Sequence, residues 1–305
     1  SWQLRVLAMD NDIEFDQGVS AVQQRSASIG FEGKMQNGWD YRAHAGFSDE
    51  ETITDYGFFT SGFDSRRFEA GWLNRITLER GRLAVGVDFH EERGESEFNY
   101  LERRNNTAVF ALWDQHLAEE YRLQLSTRLD DNSLFGSEMT YQAALGTSLG
   151  NGEVLALWGT AFRTPNLNEQ YSPGFDGLFA GNPQLQPESS DTFELMYRTG
   201  LGDTGRLSVS AYQTNVDQLI AFSGTDFQAI NINEAQLRGI ELEYSLDSAQ
   251  WIFSTNATLQ DTEDRSSGNA LLRRPDRKAT AGISRDFDNG SWFGGEWFAS
   301  GERLD

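Results

Sequence analysis

The stretch at 121–129 reads YRLQLSTRL. Tyr121, Leu123, Leu125, Thr127 and Leu129 alternate with Arg122, Gln124, Ser126 and Arg128. A period of two places one set on each face of a β-strand. One face is therefore greasy, and the other carries full charges. The pattern recurs along the chain. Leu83, Val85, Val87 and Phe89 alternate with Ala84, Gly86, Asp88 and His90. Phe68, Ala70, Trp72, Ile76 and Leu78 alternate with Glu69, Gly71, Arg75 and Thr77, and Ile240, Leu242, Tyr244 and Leu246 with Glu241, Glu243 and Ser245. No helical rhythm of comparable length competes with it.

The connections have a rhythm of their own. Some are tight: QNGW at 36–39, ERGR at 79–82, GNGE at 150–153, DSAQ at 247–250 and DNGS at 288–291. Asn-Gly and similar pairs reach the positive φ that two-residue hairpins need. Others read as long polar loops, at 47–65, 92–106, 163–190, 218–233 and 261–275, with an intermediate one, DDNSLFGS, at 130–137. Short and long alternate. In an up-and-down antiparallel sheet this puts tight turns on one rim and long loops on the other, the layout of an outer-membrane barrel. We count about fifteen strands, many of roughly ten to twelve residues, which suits tilted strands crossing a bilayer.

Pattern alone leaves two other all-β readings. A propeller should repeat a motif every few strands, and none recurs. A sandwich fits the charged face as well as a hydrated lumen does. Aromatic residues favour the barrel: Trp39, Tyr41, Trp72, Trp113, Tyr121, Trp158, Tyr197, Trp251, Trp292 and Trp297 mostly fall near strand ends, where they would form interfacial girdles. Ordinary aromatic enrichment in strands gives the same picture.

Composition excludes several functions. A net charge of −22 argues against a nucleic-acid partner, whose phosphates need clustered Lys and Arg. The chain has no cysteine, as a cell-envelope protein avoiding stray disulfides would. No apolar run is long enough for a transmembrane helix. The chain starts in mid-pattern at SWQLRVLAMD and stops at SGERLD, so both ends are expected to be truncated. Its three histidines, His44, His90 and His116, are far apart, and no metalloprotease, hydrolase-elbow or phosphate-loop motif is present. Acidic pairs of glycosidase type arise by chance among 47 acidic residues, so no enzymatic activity is expected. DNDIEFDQG at 10–18 sets Asp10, Asp12, Glu14 and Asp16 at alternating positions in what reads as an acidic loop. They are candidate calcium ligands, but Phe15 and Ala21 stand where an EF-hand needs Gly and Glu, and a solvated loop fits equally.

The segment LWGTAFRTPNLNEQYSPGFDGLFAGNPQLQPESSDTFELMY resembles the barrel of TonB-dependent outer-membrane receptors. NINEAQLRGIELEYSL at 231–246 and LLRRPDRKATAGI at 271–283 do so too. RLDDNSLFGSEMTYQAALG at 128–146 and GRLAVGVDFHEE at 81–92 are similar to vitamin B12 (cobalamin) receptors within that family. The resemblance implies a monomeric barrel of about 22 strands in the outer membrane of a Gram-negative bacterium, with a plug in its lumen. Residues 1–305 would be a partial barrel domain of about fifteen strands, the plug lying before residue 1. Its implied partners are the TonB complex through that plug, outer-membrane lipid, and a scarce bulky ligand. Cobalamin is favoured as the ligand, with a ferric siderophore or haem as the alternative. No cofactor is implied; calcium-binding acids of cobalamin receptors lie in about the region of the acidic segment at 10–18, but its spacing does not match theirs. A soluble or surface all-β binding or adhesion module is the reading from another class.

Four of the five prolines, Pro165, Pro173, Pro183 and Pro187, fall at 163–190. Proline removes a ladder donor, so prolines gather outside paired strands. Here they would stiffen one loop and lower the entropy it loses on holding a ligand. Tyr171, Phe175, Asp176, Phe179 and Asn182 are the candidate ligand contacts. The rings packing the loop on itself is the competing reading.

Overall fold

The computed structural model describes the whole chain except residues 16, 17, 59, 97–99, 173, 175–177, 249 and 305; at 100 and 233 it describes backbone alone. The alternating segments are strands: β1 (Trp2–Phe15), β2 (Gly18–Gln36), β3 (Trp39–Asp55), β4 (Thr60–Leu78), β5 (Gly81–Ser96), β6 (Tyr100–His116), β7 (Tyr121–Asn132), β8 (Gly136–Leu149) and β9 (Gly152–Arg163). A short helix α1 (Leu167–Tyr171) follows. Then come β10 (Glu188–Leu201), β11 (Gly205–Ser223), β12 (Gln228–Ser248), β13 (Trp251–Asp264), β14 (Asn269–Ala270), β15 (Arg277–Asp286) and β16 (Trp292–Ser300).

Among the described residues the sixteen strands form one antiparallel sheet in which strands pair in sequence order, except that β14 lies off the path, on β13, and β13 pairs next with β15. This is the up-and-down, barrel-like wall that the alternation predicts. Register shows why. Leu83 pairs with Trp113, Trp113 with Leu125, Leu125 with Ala143, Ala143 with Trp158, and Trp158 with Phe193. One apolar row thus runs across six strands on the outer face, and its Leu125, Trp158 and Phe193 are exposed. A soluble protein would hide such a row. A bilayer solvates it.

The other face is polar and tied together across strands. Asp114 accepts from both Arg82 (3.1 Å) and Arg122 (2.7 Å), and Arg128 spans Asp88 (2.8 Å) and Asp130 (2.9 Å). Arg122 and Arg128 of the charged face therefore share it with their counter-ions. Tight turns hold one rim: Gly38 and Gly150 take φ of 76° and 60°, as hairpin turns of this size require.

The other rim differs from expectation. Much of what reads as loop at 47–65, 92–106 and 218–233 is strand: β3 runs to Asp55, β5 to Ser96 and β11 to Ser223. β12 has 21 residues and β2, β4 and β11 have 19. A bilayer needs only about ten, so these hairpins rise beyond it on the long-loop side. β7 and β8 turn back early, at Asn132 and Gly136.

Candidate functional site

The segment between β9 and β10 is bonded to β6 and β12, and Glu188 at its far end to β11. It is a folded element. Asn166 caps α1: its side chain accepts from Glu169 N (2.7 Å), and the Glu169 carboxylate accepts from Asn166 N (2.7 Å). This reciprocal box satisfies two orphan donors of a helix too short to persist alone. Glu169 also pairs with Arg163 (2.8 Å), which binds Glu188 at the start of β10 (2.9 Å). One guanidinium thus ties together both ends of the loop and its helix, and the two carboxylates, Glu188 foremost, raise its pKa above the usual arginine value.

Arg104 of β6, three strands along the sheet from β9, hydrogen-bonds the Pro165 carbonyl while paired with Glu92. By period two, Arg104 shares the face of Asn106 and Asp114, so α1 lies on the inner side of the rim. Pro165, Leu167 and Gln170 are buried beneath it. Burial, with the charge of Glu102, raises the Tyr171 phenol above its ordinary pKa.

The return limb docks on β11 and β12. Gly181 N donates to Ser172 O (2.8 Å) and Asn182 N to Glu169 O (2.8 Å). A Cβ at Gly181 would stand 2.7 Å from the backbone of Gln170 and Tyr171, which explains glycine there. The Asn182 side chain donates to Ala229 O (3.2 Å) and accepts from Gln184 N (2.9 Å). Leu185 closes a small core with Ile220 and Ala229. Asn231 accepts from Gln186 N (2.9 Å) and donates to Gln218 O (2.7 Å).

The expected contact residues divide. Phe175 and Asp176 lie outside the described residues. Tyr171 is half-buried on α1, and Asn182 is occupied in holding the loop. Phe179 is 47% exposed and stacks on Phe227 of the β11–β12 tip (5.3 Å, 19°), with Phe222 tilted beside it at 6.3 Å. Phe179 and Phe227 both have positive φ, 57° and 48°, which costs about 1–2 kcal/mol for a residue with a Cβ. Sequence reasoning missed Phe222, Phe227, Asn231 and Arg104. Asn231 opens the NINEAQLRG motif, which was a usable signal; Arg104 has none locally.

The calcium candidates are placed differently. Asp10, Asp12 and Glu14 sit within strand β1, not in a loop, and Asp16 lies outside the described residues. On one face of a strand they are spaced about 7 Å apart. Among the described residues, no three His, Cys, Asp or Glu side chains converge as metal ligands.

A wall of long paired strands with an apolar outside, a wet inside and one built-up rim defines an outer-membrane receptor barrel. The chain belongs to the TonB-dependent receptor family: residues 5–305 match the family described as TonB dependent receptor-like, beta-barrel. Barrels of this family of receptors and transporters reside in the outer membrane of Gram-negative bacteria. The chain is 30% identical over 281 residues to the vitamin B12 transporter BtuB of Vibrio cholerae serotype O1, covering 88% of this chain and 42% of that protein. It is 26% identical over 303 residues to BtuB of Photobacterium profundum, covering 90% and 47%. The chain thus spans about half the length of the curated relatives it matches. Among solved structures, the copper transporter OprC superposes with a TM-score of 0.84 at 18% identity, covering 100% of this chain and 56% of OprC. The Serratia marcescens hemophore receptor HasR, solved with its hemophore HasA and heme, gives 0.81 at 15%, covering 98% and 61%. At those identities the likeness is one of fold.

Proposed function

We propose that the chain is the barrel wall of a receptor that takes up vitamin B12 across the outer membrane, with energy delivered by TonB through a plug. The observation that carries this reading is the 30% identity to a vitamin B12 transporter across 88% of the chain. The geometry is in keeping with it. A polar inner face can line a lumen, the outer face suits lipid, and the described residues of the 164–187 segment offer a folded surface at the mouth. Binding and translocation make and break no bond, so the reading assigns no catalytic residue. Tyr171 and Phe179 are the described loop residues we assign to the ligand.

Copper, haem and siderophore receptors share the fold at lower identity, so an iron chelate is the second reading. The test is uptake of labelled cyanocobalamin by cells carrying the full-length receptor, with and without functional TonB. TonB-dependent accumulation is expected. Uptake of a ferric siderophore with no uptake of cobalamin would overturn the assignment.

A further inference from the structure

Two segments that meet at the long-loop rim carry no positive charge. Between Arg163 and Arg198, and again between Arg206 and Arg238, there is no Lys, Arg or His. The two guanidinium groups at the base of the loop, Arg104 and Arg163, already face carboxylates. An anionic ligand seated on these two segments would lose its hydration and meet no cation of theirs in return.

The same two segments display Phe179, Phe222 and Phe227 as one surface, with 47%, 37% and 41% of each residue open. Two of the three have left-handed backbone, where glycine would be free of strain. The strain is held in place by pairing between the segments: Phe179 N donates to Asp226 O (3.0 Å) and Ala229 N to Ala180 O (3.3 Å). A rim needing only to turn could use smaller and more polar residues. Strained backbone that holds large rings in solvent is the kind of outlier from which a functional use is inferred.

We propose that Phe179, Phe222 and Phe227 form a single contact platform for the transported molecule, and that it receives the flat apolar face of an uncharged or cationic ligand rather than an anionic group. Ring faces attract apolar surface and positive charge and repel negative charge. The proposal rests on the receptor reading above and adds to it a ligand class and the residues that select it.

The experiment is equilibrium binding to the full-length receptor of three probes: cyanocobalamin, a ferric tris-catecholate chelate and haem. Wild type should bind cyanocobalamin most tightly. Phe179→Ser with Phe227→Ser should weaken that binding at least tenfold, while the heat-modifiable mobility of the folded barrel stays unchanged. Phe222→Leu, which keeps bulk and removes the ring face, guards against a folding defect and should weaken it about threefold. Wild-type affinity in both variants sinks the platform and leaves the receptor reading standing. Tightest binding of an anionic probe by wild type overturns the ligand class. Binding of none of the three brings down the receptor reading and the platform with it.

Discussion

Pro165, Leu167 and Leu185 are buried, and Arg163, Asn166, Glu169 and Asn182 are bonded to other parts of the chain. A few residues away, Phe179, Phe222 and Phe227 leave more than a third of their surface to solvent. Six of the first set, Arg163, Pro165, Asn166, Leu167, Asn182 and Leu185, lie in the stretches RTPNL (163–167) and GNPQLQPE (181–188), and none of the second set does. The signature is therefore a description of how the segment folds onto the wall. It says little about the ligand, because the residues free to touch one lie outside it.

The sharpest break in that comparison is at Arg104. Its side chain is 8% exposed, and it joins Glu92 to the Pro165 carbonyl. Removing one partner of a buried ion pair leaves a desolvated charge, so Arg104→Ala should cost loop docking about 3 kcal/mol. Amide exchange over 166–171 should then accelerate by roughly a hundredfold in the full-length receptor. The double change Arg104→Met with Glu92→Met should recover most of the protection. Equal exchange in wild type and Arg104→Ala would mean that the loop holds its place without β6.

How much of this the sequence discloses depends on where water lies. Within the membrane band, one face meets lipid and the other water, so Leu83, Val85 and Val87 alternate visibly with their neighbours. Above the band both faces are wet. Pairing continues there through cross-strand ion pairs such as Asp49–Arg66 and Glu91–Arg103, but the apolar alternation is lost. The extended hairpins at 47–65 and 92–106, and the acidic run Asp10–Glu14, read as loops for that reason. α1 has five residues, fewer than two turns, so periodicity cannot reveal it; the Asn166-x-x-Glu169 capping box was its only local mark. The Arg104–Pro165 contact joins residues 61 apart and has no local trace at all.

A smaller break is available at Gly181. A methyl group there would sit 2.7 Å from the α1 backbone, so Gly181→Ala forces the return limb away from the helix. Overpacking against backbone should cost about 2 kcal/mol, confined to this loop. Limited proteolysis of the full-length receptor should cut the variant within 164–187 several times faster than wild type, with the barrel itself left whole. An unchanged cleavage rate would mean that the limb can shift without undocking, and the close approach would then not explain the glycine.

The smallest of these effects separates anchoring from display. Asn166→Ala removes the cap that accepts from Glu169 N and should cost the helix about 1 kcal/mol, whereas Asn166→Asp keeps the acceptor and should cost a few tenths. A helix of this length gains little from propensity, so its caps and its buried Leu167 decide whether it forms. Exchange at the α1 amides should therefore rise in Asn166→Ala and stay near wild type in Phe227→Ser, since among the described residues Phe227 meets the loop through the ring of Phe179 and not through α1. If both variants raise exchange equally, the rings also serve as anchors, and the division between residues that fold the loop and residues that meet the ligand does not hold.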